Sequence, residues 1–94
     1  MSNLVNVNGE NKGNLMLYAL STCVWCRKTK DYLDEMGVAY TYVYVDLESN
    51  REQEKLEAEI AEFNPEISFP TLIINNKECV VGYSPEKIRS YLNV

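Results

Sequence analysis

Ninety-four residues are enough for one small domain and not for two, and 46% hydrophobic residues suit a compact core. A net charge of −5 speaks against nucleic acid, which needs clustered Lys and Arg. Three cysteines and no histidine exclude Cys–His nucleophile pairs, His acid–base chemistry and mixed Cys/His zinc sites. The odd cysteine count also argues against a secreted disulfide framework. No apolar run reaches the length of a membrane span, and the start lacks a signal-peptide pattern. The expected compartment is the cytoplasm.

Residues 1–13 are rich in Asn and Gly and read as a flexible extension, with a short strand at Leu4 to Val7, ahead of a domain at 14–94. Leu15 to Leu20 is an apolar run and therefore a buried strand. Thr22 is placed to cap a helix from Val24 to Met36. Trp25, Thr29, Tyr32, Leu33 and Met36 recur at three- and four-residue steps as its apolar face, and Gly37 ends it. Ala39 to Asp46, β-branched and aromatic, is a second strand, so the three elements form a βαβ unit with parallel strands.

Glu52 to Phe63 reads as a second helix, with Leu56, Ile60 and Phe63 as a narrow apolar stripe. Eight carboxylates from Asp46 to Glu66 face only Arg51 and Lys55. Their simplest role is a solvated helix face; the functional alternative is a surface for a basic partner. Thr71 to Ile74 and Cys79 to Gly82 are two more strands, joined by an Asn75-Asn76-Lys77 turn. Ser84-Pro85 starts a last helix that buries Ile88, Tyr91 and Leu92. The order β-α-β-α-β-β-α gives an α/β domain with a four-stranded mixed sheet flanked by three helices.

The chemistry concentrates in Cys23-Val24-Trp25-Cys26, at the junction of the first strand and the first helix. A helix start offers free N–H groups and the positive end of the dipole to a thiolate at Cys23. The i, i+3 spacing brings Cys26 within reach of a disulfide. Arg27 and Lys28 add positive potential. Trp25, between the cysteines, is expected to be partly exposed for docking. Cys79, in a strand, is expected to be a small buried hydrophobe.

From Leu15 to Leu92 the chain resembles the glutaredoxin branch of the thioredoxin superfamily. The resemblance rests on the CxxC, on Phe69-Pro70-Thr71 before the third strand, and on Val81-Gly82-Tyr83-Ser84-Pro85-Glu86-Lys87-Ile88 after the hairpin. It implies a single thioredoxin-like domain and a dithiol–disulfide oxidoreductase without a cofactor. Cys23 would be the nucleophile and Cys26 the resolving thiol. Trp25, Phe69, Pro70 (as a cis-proline), Thr71, Val81, Gly82, Tyr83 and Ser84 would form the substrate groove.

Gly82-Tyr83-Ser84-Pro85-Glu86-Lys87-Ile88 looks most like the glutaredoxin-like hydrogen donors of ribonucleotide reductase. The resemblance thus implies protein disulfides as substrates, ribonucleotide reductase among them, and a monomer. The upstream reductant would be thioredoxin reductase or a low-molecular-weight thiol. Leu20 replaces the basic residue, and Tyr83-Ser84 the acidic pair, that ordinary glutaredoxins use for glutathione. The alternative from another class is an iron–sulfur carrier with Cys23 as a ligand.

Overall fold

The computed structural model describes residues 3–93, leaving Met1 and Ser2 of the expected extension and the terminal Val94 outside the described residues. Alternation of apolar side chains decides the architecture. In β2 (Leu15–Ala19) the side chains of Leu15, Leu17 and Ala19 join one core cluster, while Tyr18 joins another and Met16 packs against that second cluster. A strand buried on both faces must lie centrally. It does: β2 pairs in parallel with β3 (Tyr40–Tyr44) and antiparallel with β4 (Thr71–Ile74). β5 (Glu78–Val81) adds antiparallel to β4.

The sheet has five strands, one more than the four expected. β1 (Val5–Val7) pairs antiparallel with β3, giving the order β1-β3-β2-β4-β5. The short strand lies where it is expected, but with Val5 and Asn6 exposed and only Val7 packed against the core, its three residues do not show which strand they join. Pairing comes instead from the open edge of β3 and from an anchor outside the strand. The Glu48 carboxylate accepts from the main-chain N–H and the side-chain amide of Asn3, both at 3.1 Å.

Helices α1 (Val24–Met36) and α3 (Pro85–Leu92) bury Cys26, Leu33, Ile88 and Leu92 against one face of the sheet. Helix α2 (Asn50–Ala61) buries Leu56 and Ile60 against Tyr18, Val43, Val45 and Ile73 on the other. This helix starts two residues earlier than expected because Ser49 caps it, accepting from the Glu52 N–H at 3.3 Å. β3 also ends early. Val45–Leu47 forms a 3-10 turn, which carries Asp46 away from the sheet. Two expected apolar faces shift. Trp25 leaves the face for the surface, as its place between the cysteines predicts, and Tyr91 is exposed as well, so α1 is buried through Cys26, Thr29 and Leu33, and α3 through Ile88 and Leu92.

Three loop residues carry positive φ for clear reasons. Asn75 and Asn76, at 55° and 53°, with Lys77 N–H bonded to Ile74 O at 3.0 Å, make the tight hairpin expected of them. Gly37, at 68°, closes α1 with its N–H on Asp34 O at 3.1 Å. The parallel β2–β3 pair then places Ala19 beside Tyr44, so both strands end at the same margin of the sheet. The open crevice of such a sheet lies at those carboxyl ends.

Candidate functional site

The chain leaves β2 through a tight turn. Cys23 N–H bonds back to Leu20 O at 3.3 Å, and Arg27 N–H bonds to Cys23 O at 3.1 Å as the first helical bond. Cys23, not Thr22, is therefore the N-cap of α1. Its Sγ accepts the Cys26 N–H at 3.2 Å, the role a Ser or Asp oxygen usually fills. The turn closes one residue later than the Thr22 signal suggests, which leaves Thr22 exposed in the turn.

The two thiols differ sharply. Cys23 is half-buried and Cys26 is 1% exposed. Burial, reinforced by the hydrogen bond to Cys23, pushes the Cys26 thiol up to about 12. A hydrogen bond from the Leu20 main chain opposes that rise, while the Asp46 charge adds to it. Neither cysteine is in a disulfide. The pair thus presents one sulfur outward, held by a main-chain donor, with a protonated thiol behind it.

Around them the predicted groove residues meet in linked pairs. The Phe69–Pro70 peptide bond is cis, as expected from the resemblance. Gly82, at φ 78°, turns its N–H onto Pro70 O at 2.9 Å, so the proline loop and the glycine loop form one unit with the Thr71–Val81 pair. Tyr83 stacks on Trp25, ring centroids 6.0 Å apart and 25° between planes, which joins that unit to α1. Lys28 Nζ lies 5.2 Å above the Trp25 ring. Phe69 packs against both core clusters, one of which also carries Cys23.

Not every predicted residue faces the opening. Thr71 is 0% exposed, and its hydroxyl donates to Ser68 O at 2.7 Å while accepting from the Asn64 amide at 3.2 Å. Its side chain supports the loop that carries Phe69 and Pro70. Ser84 occupies the N-cap of α3 without a side-chain capping bond; Ile88 N–H bonds to its carbonyl at 3.1 Å. Val24, Trp25, Val81 and Tyr83 are all exposed, and among them Tyr83 contacts Trp25 directly. Cys79 is half-buried in β5, and burial raises its thiol.

A cavity of about 320 Å³ opens beside Cys23, lined also by Leu20, Ser21, Thr22, Val24, Arg27 and Tyr44. Tyr44 was not singled out from the sequence. Its signal was the parallel pairing itself, which brings the end of β3 to the end of β2. Ser21 and Asp46 were missed in the same way. Asp46 accepts the Ser21 N–H at 2.8 Å and the Ser21 hydroxyl at 2.5 Å, and these bonds hold its carboxyl below the usual range. Among the described residues no three side chains of metal-ligating type converge. No helix among them is long and apolar enough to cross a membrane.

Residues 15–80 match the model of the glutaredoxin family. The chain is similar to the crystal structure of the glutaredoxin of Methanosarcina mazei Go1, at 44% identity over 97% of this chain and 88% of that one, with a TM-score of 0.92. It is similar to Methanosarcina acetivorans methanoredoxin, at 42% identity over 92% and 90% of the two chains, TM-score 0.89. It is also similar to NrdH-redoxin of Escherichia coli, a glutaredoxin-like protein with a thioredoxin-like activity profile. There the identity is 26% over 82% of this chain and 92% of that one, and the TM-score is 0.64.

Proposed function

The chain belongs to the glutaredoxin family and is a thiol–disulfide oxidoreductase, and we propose that it reduces protein disulfides in the cytoplasm through Cys23 and Cys26. The observation that carries this reading is the asymmetry of the two thiols. The Cys23 thiolate attacks one sulfur of a substrate disulfide. A mixed disulfide forms, and the other substrate sulfur leaves as a thiolate that takes up a proton. Cys26 then gives up its proton and attacks Cys23 Sγ. The second substrate sulfur departs as a thiol, and the protein is left with a Cys23–Cys26 disulfide. The order follows from access, because Cys26 is covered by Cys23 and the core.

In this reading the substrate chain lies along the rim of Val24, Trp25, Val81 and Tyr83, above the joined loops of Phe69, Pro70 and Gly82, with Ser84 at their end and Thr71 beneath them. The likeness to NrdH-redoxin supports a redox protein partner, with ribonucleotide reductase the candidate carried by the resemblance. The upstream reductant is thioredoxin reductase or a low-molecular-weight thiol. Uncharged Leu20 and the Trp25–Tyr83 stack speak for a site not shaped around glutathione. The cavity beside Cys23, with Arg27 in its wall, has room for another small thiol.

An NADPH-coupled insulin-reduction assay tests this, run once with thioredoxin reductase and once with glutathione and its reductase. Turnover is expected to be faster with thioredoxin reductase. Faster turnover with glutathione would overturn the reading that the site is not shaped around glutathione. A protein that reduces no disulfide in either system or with simple thiols would overturn the reading as a whole.

A further inference from the structure

The turn from Leu20 to Cys23 carries one thiol and meets the other cysteine through it. Its last residue is Cys23, whose Sγ accepts the Cys26 N–H at 3.2 Å. Its two central residues, Ser21 and Thr22, are exposed, so packing does not hold them. Besides the Cys23 N–H bond to Leu20 O that closes the turn, a carboxylate from a different element holds them. Asp46, in the 3-10 turn after β3, takes both the N–H and the hydroxyl of Ser21, at 2.8 and 2.5 Å. Charge-assisted bonds to both oxygens of one carboxylate fix direction as well as distance.

We propose that Asp46 is a positioning residue for the exchange reaction: through Ser21 it fixes the Leu20–Cys23 turn and so holds Cys23 Sγ in line for attack by Cys26 in the resolving step. The inference rests on the function proposed above. It concerns geometry, since a negative charge near Cys26 taken alone disfavours its thiolate. Small misplacements of reacting atoms cost large factors in rate, so a loosened turn slows the internal attack most.

The test uses reduced protein in a Cys79→Ser background and an aromatic disulfide that releases a coloured thiolate at each step. The first release reports attack by Cys23, and the second reports attack by Cys26. Asp46→Ala is expected to slow the second step about tenfold while leaving the first within about twofold. Ser21→Ala is expected to match it, and the double variant to be no slower than either single one. Asp46→Asn keeps an acceptor for the Ser21 N–H and a donor toward its hydroxyl, so it should stay within about threefold of the parent. The ratio of the two steps within one trace does not change with the fraction of folded protein. An unchanged second step in Asp46→Ala overturns the inference. So does an Asp46→Asn variant as slow as Asp46→Ala, which would assign the effect to charge. If the parent itself releases only one thiolate, the resolving role of Cys26 fails and the inference falls with it. If the parent releases two and the variants match it, only the role of Asp46 falls.

Discussion

Cys23 and Cys79 are both half-buried and both outside any disulfide, yet their surroundings differ in kind. Cys79 sits in β5 opposite Ile73, and burial alone raises its thiol. Cys23 sits where a strand becomes a helix. It takes a main-chain N–H, faces a cavity, and has a second sulfur one turn behind it. Similar exposure therefore does not make similar thiols. A strand commits its N–H groups to the ladder, whereas a helix start leaves them free for a sulfur.

Four measurements would break or sharpen that contrast. Cys23→Ser is expected to lower disulfide turnover by at least about a thousandfold, because no other group attacks in its place. Residual turnover that disappears when Cys79 is also replaced would break the contrast outright. Cys26→Ser should lower steady-state turnover about a hundredfold while leaving the first attack intact. Mass spectrometry should then find one substrate chain held on Cys23.

A smaller effect follows from the raised Cys26 thiol. The fold favours its neutral form, with a value near 12 against the ordinary 9. Stability from this group is intact below about 9 and drains away as pH climbs toward 12, because the unfolded chain loses its proton first. Urea unfolding of the reduced protein should show a steeper loss between neutral and alkaline pH than Cys26→Ser does. Parallel profiles would show that the sulfur is as solvated folded as unfolded. The smallest effect is expected for Cys79→Ser, with turnover within about twofold of the parent.

Much of this site can be read along the chain because its parts are local. The CxxC spacing, the Asn75-Asn76 turn, Gly37 and Pro85 each act through neighbours a few residues away. What escapes such reading depends on partners brought together by the sheet. Thr22 has the right chemistry for a cap, but the Leu20–Cys23 turn hands that position to a sulfur. Trp25 is exposed as its place between the cysteines suggests, but its stacking partner, Tyr83, lies 58 positions away in sequence and is brought to it only by the fold. Ser21 and Asp46 look like ordinary polar residues until the parallel strands set their ends side by side. β1 is legible as a short strand, but too few of its side chains face the core to show that it joins the sheet beside β3.

That short strand has a consequence for how the protein behaves in a crowded solution. β3 reads Tyr-Thr-Tyr-Val-Tyr, five residues of high strand propensity with no charge. Left as a margin of the sheet, such a segment is a template for strands of other molecules, and the growth of aggregates begins on templates of this kind. Val5–Val7 occupies the hydrogen-bonding edge of β3, and Asn3, tied to Glu48, keeps it there. A chain shortened before Asn8 would keep every residue of the reactive end and would be expected to lose its colloidal stability first.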